Sequence, residues 1–319
     1  MKKALKIILP LLIGAGILYY YLSGFTPAQL NTIFQNIQKA DYKWLLVSLF
    51  LGLLSHIIRA YRWNYLLETL DYHPKRLNLI FTVGLSYLLN LVVPRAGEVG
   101  RAASLAKYEP DIQFEKAFGT IVAERMADMV FLLLFILLAL FLQFDLIYGL
   151  LAPKLPKTPF WLITEIGVFM LFSGLFFKWL KKSTHPVVLK IKNFFTGLFL
   201  GIRSILKMPY KWWFIVQTII IWLLYVAMFW VVLLAFPETK HLGINGVIVS
   251  FIAGSIAMVI SNGGFGIYPV FVAEALLLYG ISKETGTAFG LLMWTAQTLL
   301  VIFFGLLSMV SLPLVNVKQ

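Results

Sequence analysis

Three clusters of polar residues interrupt apolar stretches of this chain, and they are where chemistry is available. The first is Pro94-Arg95-Ala96-Gly97-Glu98-Val99-Gly100-Arg101. Pro94 stops a helix arriving from the N-terminal side, and Gly97 permits the backbone to reverse. A helix restarting near Gly97 would aim free N–H groups and the positive end of its dipole at the turn, an arrangement that holds anions. Arg95 adds a planar fork that grips phosphate or carboxylate at two points. Glu98 and Arg101 stand three apart and can pair along one helix face. A self-contained salt-bridge cluster that steadies the turn is the alternative. The second cluster is Glu124-Arg125 with Asp128. The two carboxylates, four apart, share a helix face, and Arg125 can reach Asp128. A carboxylate that trades an arginine partner with a ligand suits ion or proton coupling; the same trio equally suits plain helix–helix adhesion. The third is Asn262-Gly263-Gly264-Phe265-Gly266, followed by Tyr268, Pro269 and Glu274. Its glycines allow close approach of a backbone or a ligand.

Arg59 and Arg62, just ahead of Trp63, form a further pair. Charge anchoring at the end of a membrane span accounts for them more simply than headgroup binding does. His56, His73, His185 and His241 show no metal-ligand spacing. Cysteine is absent, which excludes thiolate metal sites and cysteine nucleophiles. No serine–histidine–acid arrangement is readable, so neither a metal, nor a cofactor, nor an enzymatic activity is expected.

The elements that must position these clusters follow from composition. Of 319 residues, 60% are hydrophobic and 13% charged, and mean hydropathy is +0.86. A soluble domain carries about a quarter charged residues, so the chain reads as a polytopic, all-α integral membrane protein. Runs long enough to span lie near residues 5–22, 44–64, 120–143, 160–180, 212–235 and 287–313. Two shorter ones, 78–93 and 246–261, run straight into the first and third clusters. The first run lacks a small-residue cleavage site and reads as a retained helix rather than a signal peptide. The net charge of +13 reads as topology charge rather than nucleic-acid affinity. With both termini in the cytoplasm, cytoplasmic segments hold eighteen Lys and Arg against six outside. That places the segment around Lys75 and Arg76 and the segment around Lys107 and Lys116 on one side. Residues 78–93 must then enter, turn near Pro94–Gly97 and return along 98–110. By the same logic 246–261 enters from outside, breaks at Ser261–Gly266 and returns along 268–280. Eight plain crossings are the alternative.

The expected architecture is one membrane domain over residues 1–319, with about six full transmembrane helices and two re-entrant helical hairpins. Residues 44–143 and 212–313 form two inverted repeats, a pattern of secondary transporters. Between them, residues 185–208 place Val188, Ile191, Phe195, Leu198, Ile202 and Ile205 at helical spacing. This reads as an amphipathic helix in the cytoplasmic headgroup zone, with a core helix of a soluble insert as the alternative.

Arg59-Ala60-Tyr61-Arg62-Trp63, Pro94–Glu98 with Arg101, Glu124–Asp128 and the Asn262–Gly266 break with Glu274 together resemble one known family. It is the flippase-like membrane domain of lysylphosphatidylglycerol synthases, the multiple peptide resistance factors. The likeness runs in order over nearly the whole chain, and the combination is specific although each piece alone is not. A proline often precedes the paired glycines in that family; Ser261 and Asn262 stand there in this chain. The resemblance implies movement of aminoacylated phospholipid between leaflets of the plasma membrane. The family's transferase domain has no counterpart before Gln319, so that activity is not implied. The expected ligand is a membrane phospholipid or polyprenyl-phosphate lipid, its headgroup held between the hairpins by Arg95, Arg101 or Arg125. The alternative function is a non-transporting lipid-binding partner of a separate lipid-modifying synthase. A homo-oligomer is compatible with either function, and no nucleic-acid partner is expected.

Overall fold

The computed structural model describes residues 2–143, 205–261 and 263–317, together with Val188, Leu189 and Thr196. The apolar run 160–180, Asn262 and most of the amphipathic segment 185–208 lie outside the described residues. Every regular element among the described residues is helical: α1 (Lys2–Ser23), α2 (Pro27–Lys39), α3 (Tyr42–Glu68), α4 (Arg76–Val92), α5 (Ala96–Tyr108), α6 (Phe114–Leu142), α7 (Lys211–Leu233), α8 (Ile244–Ile260), α9 (Tyr268–Leu277) and α10 (Lys283–Val315), with a 3₁₀ turn at Pro237–Thr239.

Helices α3, α6, α7 and α10 are each long and apolar enough to cross a membrane, whereas α4, α8 and α9 are shorter. The breaks fall where the sequence placed them. Helix α4 folds back on α5 across Val93–Arg95, and α8 folds back on α9 across Ser261–Ile267. Helix α2 was not expected. It leaves α1 through a bend of 113° and starts on a capping box between Thr26 and Gln29, with Pro27 in its first turn. Its side chains reach α10, where Gln29 donates to Glu284 (2.7 Å) and Asn36 to Thr285 (3.0 Å).

Helix packing has a regular pattern. Helix α3 packs along α7, α4 along α10, and α6 along α8. Small residues permit the closest crossings. A β-carbon on Gly84 of α4 would collide with Ser308 of α10, and one on Gly305 would collide with Leu88.

Buried apolar side chains form two cores. One gathers Trp63, Leu67, Leu79, Leu105, Ile121, Ile205, Met208 and Phe214. The other gathers Phe229, Phe236, Phe251, Val272, Leu276, Phe289 and Met293. Three helices pass from one core to the other. Along α6 the first core ends at Ala127, and the second takes Phe131 and Phe135. Along α3 the first core begins at Ala60; along α7 it ends at Phe214 and the second begins at Trp222. Arg59, Asp128 and Thr218 stand at that crossover.

Candidate functional site

The site is built on that seam. Glu124, one turn beyond the buried Thr120 on α6, is completely buried, and Asp128 lies one turn further on. Arg59 and Arg62 of α3 close over both carboxylates. Arg59 Nη1 is 2.8 Å from Glu124 Oε1 and 2.7 Å from Asp128 Oδ2. Arg62 Nη1 is 2.8 Å from Asp128 Oδ1, and its Nη2 is 3.1 Å from Glu124 Oε1. Arg101 of α5 approaches Glu124 from a third side, at 3.2 Å. Helix α7 supplies neutral partners: Arg59 donates to the Tyr225 hydroxyl (2.9 Å) and Arg62 to Thr218 (3.0 Å). Two of the guanidiniums also lie on aromatic faces, Arg101 at 3.9 Å from the Trp63 ring centroid and Arg62 at 5.1 Å from Phe214. Trp63 is held in place by donating to Thr120 (2.8 Å). Burying a charge is tolerable only when it is paired and hydrogen-bonded; this cage pairs every guanidinium with a carboxylate and satisfies part of the hydrogen bonding.

At 1.5 Å per residue, Arg59 stands roughly 26 Å along α3 from its first residue and roughly 14 Å from its last. Arg59 is therefore well within α3 rather than at its end. This corrects the reading of Arg59 and Arg62 as end anchors. Both arginines face inward, at 3% and 0% exposure. The signal was present in the sequence: two arginines three apart share one face of a span, where an unpaired charge is expensive.

The remaining expected residues divide. Glu98 and Arg101 do not pair with each other. Glu98 meets Arg125 (3.5 Å) at the half-exposed edge of the cluster, and Arg101 turns inward to Glu124. Arg125 also lies 4.0 Å from Asp128. Arg95 is exposed at the hairpin turn and makes no ion pair among the described residues. It is Arg95, at φ 64°, that adopts the left-handed conformation there, while Gly97 is already helical. The role of Gly97 is proximity, since a β-carbon would collide with the Ser86 carbonyl oxygen of α4. Its N–H is taken by Asn90 Oδ1 (2.8 Å), and that of Ala96 by the Val93 carbonyl (3.1 Å). The first two amides of this helix are thus engaged within the hairpin.

The second hairpin turn contributes no charge to the cluster. Gly263, Gly264 and Gly266 are all left-handed (φ 64°, 77° and 74°). The Gly263 carbonyl accepts from Trp294 Nε1 (2.8 Å), and a β-carbon at that position would stand 3.7 Å from Leu91 of α4. The two hairpins therefore come close to each other near their turns. Glu274 is exposed at the far end of α9 and pairs with Lys283 (3.1 Å), away from the cluster. Tyr225, Thr218 and Trp63 were not expected at the site. No local spacing marks them, because the partner of each stands on another helix.

Fold and site define a polytopic helical membrane protein with an arginine–carboxylate cluster buried among its spans. The chain belongs to the family described as the lysylphosphatidylglycerol synthase TM region, whose model matches residues 7–305. It is also similar to a UPF0104 membrane protein of Pyrococcus horikoshii, with 25% identity over 142 residues, 44% of this chain. That match spans 40% of the length of the archaeal protein. No solved structure matches the chain.

Proposed function

We propose that this protein binds a phosphate-bearing lipid headgroup at the Arg59–Arg62–Arg101–Glu124–Asp128 cluster and moves that lipid between leaflets. One observation carries the reading: four arginines and three carboxylates meet where α5 packs among the apolar helices α3 and α6. Such groups are costly in a membrane unless they serve a pathway. Membership in the synthase TM family supports a lipid as the ligand.

In this reading residues 44–143 and 212–313 are inverted repeats. Helices α4–α5 and α8–α9 are re-entrant hairpins entering from opposite faces, and both termini are cytoplasmic at the plasma membrane. The packing is what a two-fold relation between repeats would produce. Equivalent helices α3 and α7 pack on each other, and each hairpin packs on the closing span of the other repeat. The polar seam between two apolar cores then forms the surface along which the halves rock. Carboxylates already paired with arginines give a headgroup phosphate something to exchange with, rather than a bare charge to fall onto.

The test is lipid movement by the purified full chain in vesicles carrying a fluorescent phospholipid. The expected result is movement above protein-free vesicles, falling at least tenfold in Arg101→Gln while thermal unfolding still shows a folded protein. Movement equal to protein-free vesicles overturns the transport reading.

A further inference from the structure

The charges of the cluster do not balance. Counting each guanidinium as +1 and each carboxylate as −1, Arg59, Arg62, Arg101 and Arg125 face Glu98, Glu124 and Asp128. Four against three leaves one positive charge over among the described residues. The hydrogen bonds do not balance either. Arg101 is 1% exposed, yet its Nε and Nη2 are buried without a hydrogen-bond partner. Glu98 Oε2, Glu124 Oε2, Arg125 Nε and further guanidinium nitrogens of Arg59 and Arg62 are orphaned in the same way, those of Glu98 and Arg125 on the side that stays open. Arg101 stands three residues beyond Glu98 on α5, and Glu98 meets Arg125 at 3.5 Å. A buried, uncompensated charge with unused donors is costly, and an anion supplies what is missing.

The cluster has one open side. Arg59, Arg62, Arg101 and Glu124 are sealed, whereas Arg125, Glu98 and Asp128 keep 34%, 22% and 14% of their side-chain surface. Glu98 holds Arg125 there through a 3.5 Å contact that lacks hydrogen-bond geometry. An arriving anion has a donor pair to take, Arg125 at the edge and Arg101 behind it, and a weakly held carboxylate to displace.

We propose that Arg101 and Arg125 seat a singly charged phosphodiester, and that the charge count of the cluster selects it over a doubly charged phosphomonoester. This rests on the lipid-headgroup reading above and names its charge class. One negative charge brings the cluster to neutrality. Two would leave a buried excess of the opposite sign, which is penalised as the first was. Glu98 sets the count from the open edge: without its charge the cluster carries +2 and should prefer the phosphomonoester.

The experiment is native mass spectrometry and thermal unfolding of the purified full chain in detergent at about pH 8.5, where a phosphomonoester carries close to two charges. The probes are dioctanoyl-phosphatidylglycerol, dioctanoyl-phosphatidic acid and the chain-free headgroup glycerophosphoglycerol. The unmodified protein is expected to retain phosphatidylglycerol at least fivefold over phosphatidic acid. Glu98→Gln is expected to invert that order, and Arg101→Gln to lose retention of both. Inversion is the decisive readout, because a side chain with only a structural role would weaken both lipids alike. An effect of glycerophosphoglycerol equal to that of the lipid supports the seat and assigns it to soluble phosphodiesters; a shift with the lipid alone assigns it to membrane lipid. Equal retention of the two lipids by the unmodified protein, or an unchanged order in Glu98→Gln, overturns the proposal. Retention in detergent and movement in vesicles are separate measurements, so the charge class and the transport reading can each fail alone.

Discussion

The two hairpins share a shape and differ in chemistry. Each is a short apolar helix that breaks and returns, α4 into α5 and α8 into α9, and each packs on a long span from the other half of the chain. The first keeps a left-handed arginine at its turn and carries Glu98 and Arg101 on its returning arm, where they join a buried ionic cage. The second turns on three left-handed glycines, packs against Gly14 of α1 and Trp294 of α10, and sends its one acid, Glu274, to the exposed far end. The backbone plan is thus repeated, while the ion pairs of the cluster fall on the first copy. The glycines of the second turn let other helices approach closely, Gly266 at Gly14 and Gly263 at Trp294.

The largest break in this contrast is Glu124→Ala. It leaves Arg59, Arg62 and Arg101 buried without their shared carboxylate and should destabilise by about 3–5 kcal/mol, read as thermal unfolding in detergent. Gly266→Val tests the second hairpin by a different mechanism. Its β-carbon would strike the Gly14 carbonyl, and its φ of 74° suits no branched side chain. Overpacking and backbone strain together predict a loss of about 2–4 kcal/mol, with the ionic cluster intact. Gly266→Val losing less than Arg95→Ala would invert the comparison. Arg95→Gly should raise stability by about 0.5–1 kcal/mol, because glycine carries no left-handed penalty, while its freer unfolded chain offsets part of the gain.

The smallest effect lies at the opposite end of the bundle. Burial pushes the Glu238 carboxyl up, but hydrogen bonds from the Thr285 hydroxyl and from the Ser282 amide and hydroxyl outweigh it. The carboxyl therefore titrates below its usual 4.5. A depressed carboxyl stabilises above its unfolded value and loses that contribution as pH falls through the folded one. The link between the 3₁₀ turn and α10 should hold above about pH 4.5 and weaken below it. Glu238→Gln should flatten this part of the unfolding-temperature profile.

Hydropathy and breaker residues alone determined that the chain is an all-helical membrane protein, where α4 and α8 end, and that ionisable groups on α5 and α6 interrupt its apolar stretches. These properties depend on local composition, and a lipid environment leaves the backbone few other ways to satisfy its hydrogen bonds. The tertiary structure decided which of those groups meet. Spacing offered Glu98 and Arg101 to each other, yet Arg101 turned to Glu124 because the carboxylates of α6 serve three arginines at once. Arg59 and Arg62 read as anchors until α6 and α7 packed against α3 and brought Glu124, Asp128, Thr218 and Tyr225 to them. Helical spacing fixes which side chains share a face. What that face meets depends on helices far away in the chain, and in a membrane that partner decides whether a charge is tolerated.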